Sequence, residues 1–62
     1  MNPTLIPNFT YTDETNLLCL LQLGIAHARE LAEQNDYWTK RAETFENVAA
    51  KLNTEIRNYY FN

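Results

Sequence analysis

YWTKRAETFENVAAKLNTEIRNYY, residues 37–60, carries the pattern that decides the fold. Trp38, Ala42, Phe45, Ala49, Leu52, Ile56 and Tyr59 recur at spacings of 4, 3, 4, 3, 4 and 3. That alternation keeps all seven on one face of an α-helix and makes a coiled-coil-like seam of mixed large and small side chains. No glycine or proline interrupts the segment, so a helix over residues 36–60 is predicted.

Working upstream, a second helical pattern covers residues 12–34. Thr12 is the expected N-cap, with Asp13 and Glu14 facing the positive end of the helix dipole. Leu17, Leu21, Gly24, Ala28 and Leu31 form a stripe that matches the seam of the second helix. Gly24 costs roughly 1 kcal/mol against alanine inside a helix, so a bulky side chain such as Phe45 is expected to cross there. Asn35 and Asp36 supply the break, and Asp36 is placed to cap the second helix. Two long helices joined by so short a connection must be antiparallel neighbours. The fold class is therefore all-α, an antiparallel two-helix hairpin.

Residues 1–11, MNPTLIPNFTY, hold both prolines and no helical period. Pro3 and Pro7 bias Asn2 and Ile6 toward extended backbone, which predicts an extended N-terminal arm ahead of the hairpin at residues 12–62. Leu5, Ile6, Phe9 and Tyr11 are too apolar for a solvated linker, so the arm should dock. The antiparallel hairpin returns Asn58, Tyr59, Tyr60 and Phe61 to this arm, and a small satellite core closing that end is expected.

The stretch NLLCLLQLGIAHA, residues 16–28, holds more apolar surface than one partner helix can cover. Its polar strip is confined to Thr15, Gln22, Arg29 and Glu33, with Glu30 beside them. Leu18, Ile25 and Ala32 form a second row, and Leu20 and Leu23 widen the arc beyond the usual stripe of about 100°. Size sharpens the point, because a 7.3 kDa chain has little core with which to offset its conformational entropy. The single cysteine, Cys19, excludes an intrachain disulfide. Association remains, and two-fold dimers are the commonest form. A homodimer through Leu18, Leu20, Leu23, Ile25 and Ala32, giving a four-helix bundle, is the expectation.

Catalytic chemistry has little footing. His27 and Glu30 are one turn apart, in the reverse order of the Glu-x-x-His pairs of di-iron bundles and without further inward carboxylates. A metal role, if any, would need paired His27 residues across a dimer. Cys19 has no basic neighbour to activate it and is expected as a buried thiol. Asp13 with Glu14, and Glu43 with Glu46, lack an evident desolvating pocket and read as solvated charges. One glycine cannot build a phosphate loop. No catalytic residue, metal or cofactor is assigned.

Net charge is −3, with five acids against one base through Asp36 and three acids against four bases after it. Lys40, Arg41, Lys51 and Arg57 are interleaved with Glu43, Glu46 and Glu55 as a salt-bridged face, so direct nucleic-acid binding is not expected. The apolar run falls short of the roughly 20 residues that span a bilayer. The first basic residue is Arg29, so there is no signal-peptide pattern; the Asn8-Phe9-Thr10 glycosylation match is taken as accidental, and the expected location is the cytoplasm. What is left is a small acidic protein-interaction module: a dimeric regulator or inhibitor of the kind that phages and mobile elements encode, occupying a partner protein's surface. Glu30, Glu33 and Asp36 would meet a basic patch of that protein, with Tyr60 and Phe61 offering an aromatic end. The competing classes are a structural subunit or adaptor of a larger assembly and, less favoured, a nucleic-acid-binding accessory.

Overall fold

The computed structural model describes residues 4–62, so Pro3 and its effect on Asn2 lie outside the described residues. Two helices follow in chain order, α1 (Tyr11–Ala32) and α2 (Tyr37–Phe61). They pack against each other as a hairpin about 46 Å long and 17 by 15 Å in section.

The start of α1 lies one residue before the expected one, and its cap is Thr10 instead of Thr12. Thr10 has extended backbone, its hydroxyl accepts from the Asp13 N–H at 3.0 Å, and the Asp13 carboxylate accepts from the Thr10 N–H at 3.0 Å. This reciprocal capping box satisfies two backbone donors at once, which a cap at Thr12 would not. α1 ends at Ala32 because the next amides tighten: Glu33 N–H donates to Glu30, and the N–H groups of Gln34 and Asn35 both donate to the Leu31 carbonyl. Asp36 makes no side-chain capping bond and has helical backbone. Asn35 does that work, its Oδ1 accepting from the Tyr37 N–H at 3.0 Å.

The seam is where the periodicity puts it. Ala28 of α1 and Ala42, Ala49 and Ile56 of α2 are the buried apolar residues among those described. Three of them are alanines. Small side chains allow close helix approach but bury little area, so Leu17, Leu21, Leu31, Phe45 and Leu52 remain only half-buried beside them. Tyr59, the last member of the predicted seam, is exposed, and Tyr60 turns inward in its place.

The arm is bent where an extended run was expected. Ile6, Pro7, Asn8 and Phe9 make a turn closed by Phe9 N–H to the Ile6 carbonyl at 3.1 Å. Pro7 supplies the fixed φ of the first central position, and Asn8 at φ 68° supplies the left-handed second position. The proline that biases Ile6 toward extended backbone thus also reverses the chain, and Leu5 and Ile6 fold back onto the end of the hairpin.

Candidate interaction surface

The end of the hairpin is built around a carboxylate. Glu14 is fully buried, at 0% exposure, and stands where α1 passes the last turn of α2. One carboxylate oxygen accepts from the Ile6 N–H, and the other accepts from the Tyr60 hydroxyl. Tyr60 in turn accepts the Leu5 N–H at 3.2 Å. Tyr11 packs edge-on against Tyr60, ring centroids 4.7 Å apart, and also meets Phe61 edge-on at 6.4 Å. The expected satellite core is present, and its centre is polar. Its place in the first turn of α1 predicts a solvated charge at Glu14, and the structure buries it instead. Its partners are 8 and 46 residues away in sequence, so no local pattern could reveal them. Desolvation, then the hydrogen bond to Glu14, raises the Tyr60 phenol above its ordinary value of 10.0.

The predicted dimer residues fall on two sides of the seam. Successive helical residues turn by 100°, so Leu18 and Leu20 point nearly opposite ways around α1. Leu18, Ile25 and Ala32 are half-buried along one edge, the edge on which Arg29 forms an ion pair with Glu46 across the hairpin. Leu20 and Leu23 are on the other, each 64% exposed. Only the second edge is open.

There, Leu17, Leu20, Leu21, Gly24 and Phe45 line a shallow apolar cavity of about 200 Å³. Val48 and Leu52 follow Phe45 at i+3 and i+7 and continue the same face along α2. Val48 is exposed, and Arg41 covers part of the Phe45 ring, its guanidinium carbon 5.4 Å from the centroid. Gly24 does not mark a close crossing by Phe45. A β-carbon built on it would have nothing within 4 Å. The glycine is the floor of a hollow.

Cys19 is exposed, contrary to expectation, because nine residues of helix separate it from buried Ala28 and turn it to the opposite side. His27 and Glu30 are both exposed, and among the described residues no three His, Cys, Asp or Glu side chains gather as a metal site. No described helix is long and apolar enough to cross a membrane.

The predicted partner-binding residues are likewise divided. Glu30, Glu33 and Asp36 are exposed near the connection, whereas Tyr60 and Phe61 sit at the far end of the 46 Å rod. Tyr60 is committed to Glu14, while Phe61 is 69% exposed. A polar concavity of about 430 Å³ on the last turns of α2, lined by Asn53, Thr54, Arg57, Asn58, Phe61 and Asn62, gathers no acid, base or nucleophile set. No protein-family model, curated protein or solved structure matches this chain.

Proposed function

We propose that this chain is a non-enzymatic protein-interaction module, a dimeric regulator that acts by occupying a basic surface of another protein. The observation that carries the proposal is the uncovered apolar side of the rod, with Leu20 and Leu23 each 64% exposed beside a hollow lined by leucines and Phe45. The accessible surface of 4845 Å² exceeds the roughly 4,200 Å² that mass scaling gives a folded monomer of this size. A second copy is the occupant that fits. One long side of a rod 46 by 17 Å has a footprint of roughly 800 Å², the share each partner contributes to a standard stable interface.

With that side covered, each copy presents Glu30, Glu33 and Asp36 near its connection. Carboxylates on a stiff scaffold steer toward cationic surfaces and lose that advantage as salt rises. Light scattering of the full chain should give twice the chain mass, and a monomer or an ill-defined aggregate would overturn the dimer in favour of a subunit covered by a different protein. Capture from native lysate with wild type, E30K/E33K/D36K and F61A then places the functional surface. Loss of a salt-sensitive partner in the acidic variant alone supports the proposal; retention there with loss in F61A moves the site to the aromatic end.

A further inference from the structure

Gly24 sits near the middle of α1, where a glycine weakens a helix, and the hairpin itself makes no use of its missing side chain. Nothing approaches the vacant β-carbon position within 4 Å, although Leu17, Leu20, Leu21 and Phe45 wall the space around it. An unfilled apolar hollow forfeits the dispersion contacts of every atom lining it. Leu20, one turn before Gly24 on the same face, projects a largely exposed isobutyl group from the rim. One surface therefore carries a hole and a knob four residues apart.

We propose that the α1 helices of two copies cross antiparallel over this hollow, with Leu20 of each copy seated on Gly24 of the other. This rests on the dimer proposed above and specifies its centre. A two-fold interface requires that if residue i touches residue j, then j touches i. Leu20 over Gly24 and Gly24 under Leu20 satisfy that requirement with one register, whose axis passes midway between them, level with Gln22 along the helix. The absent β-carbon lets the second backbone come close, and the flanking Leu17 and Phe45 close around the inserted leucine. The hollow of about 200 Å³ accommodates a leucine side chain. The same register holds the two His27 residues about 15 Å apart along the helix axes, five residues on either side of the two-fold at 1.5 Å rise per residue, so they do not meet as a metal pair.

The experiment is a knob-and-hole exchange in the full chain, with dimer dissociation measured by sedimentation equilibrium and helicity by circular dichroism. G24A has room in the isolated hairpin, so its helicity should hold or rise while dimer dissociation becomes about tenfold easier. L20A, which removes the knob, and G24L, which fills the hole, should each weaken the dimer by about 100-fold. L20A/G24L, in which the new leucine of each copy lies over the new alanine of the other, should return to within about threefold of wild type. A double-mutant cycle of this kind isolates the pair from general effects on the fold. If wild type dimerises but G24A and G24L leave dissociation unchanged, or the exchange fails to restore it, the crossing over Gly24 is wrong and the dimer stands. If wild type is monomeric at all concentrations, both fall. Should G24L lose helicity, G24A and the exchange variant decide.

Discussion

The terminal end of the hairpin and its middle solve the same shortage of core in opposite ways. At the terminal end, Glu14, Tyr60 and the backbone of Leu5 and Ile6 satisfy one another, and Tyr11 and Tyr60 stack edge to face over them. In the middle, Ala28, Ala42 and Ala49 line the seam and leave Leu20 and Leu23 largely exposed. The closed end is specified by directional bonds among residues of this one chain. Apart from the half-exposed Arg29–Glu46 pair, the middle is specified by shape, and that shape is incomplete. A small protein can thus be finished at one place and unfinished at another, and the unfinished place is the one the proposed second copy would cover.

The sharpest way to break the contrast is at Glu14. E14A leaves the Ile6 amide and the Tyr60 hydroxyl without their acceptor and opens a buried space, which should cost about 3 kcal/mol in chemical denaturation. E14Q retains one amide oxygen and should lose less. Equal stability of E14A and wild type would mean that the closed end contributes nothing to the fold.

The middle is tested by L20E. The side chain is mostly exposed in the single hairpin, so helicity should be preserved, whereas a carboxylate forced into the apolar face of the proposed dimer should weaken association by about 100-fold, near 3 kcal/mol. An L18E/I25E pair sits on the half-buried opposite edge and should unfold the hairpin instead of merely separating copies. Identical behaviour of the two sets would erase the distinction between the edges.

Alkaline pH separates the two regions in another way. Because the Tyr60 phenol is raised above 10.0, the folded chain holds that proton more tightly than the unfolded chain does. Its stabilising share is complete below about pH 10, the unfolded value, and is lost as pH climbs through the folded value. Y60F should remove the highest-pH component of the tyrosinate absorbance titration and flatten that part of the stability profile. The smallest effect belongs to the Arg29–Glu46 pair, which is about half exposed on each side. R29M should cost about 0.5 kcal/mol at low ionic strength and nothing measurable in high salt.

The hairpin was legible because its cause is periodic. Ala28, Ala42, Ala49 and Ile56 share faces that the 3.6-residue turn dictates, and Asn35 breaks the pattern where the chain reverses. Boundaries were less legible where two candidate caps stood close together. Thr10 and Asp13 satisfy the box spacing, and that reciprocal pair prevails over a cap at Thr12. The turn at Pro7 and Asn8 was available from the same kind of local rule. Glu14 and Tyr60 were not, since their meeting depends on both helices reaching the same height after the reversal. Cys19, Leu18 and Leu20 show a different limit. An excess of apolar residues says that one partner helix cannot cover them all, but which residues face that partner is fixed only once the seam's angular centre, at Ala28, is known.

Closing the terminal end also sets an order of assembly. Arg29 and Glu46 are 17 residues apart in the chain, whereas Leu5 and Tyr60 are 55 apart. Closing the longer loop from an open chain costs roughly 1 kcal/mol more entropy, so it is cheaper to let the helices zip outward from Asn35 first. The bonds to Glu14 then form last, over a path already shortened by the paired helices. In the native state the reverse holds: amides of Leu5 and Ile6 can exchange with solvent through a local lifting of the arm, while those of Ala42 and Ala49 must wait for the helices to part. Hydrogen exchange should therefore show two tiers of protection in a chain of only 62 residues, with the slow tier centred away from the end that holds the most specific contacts.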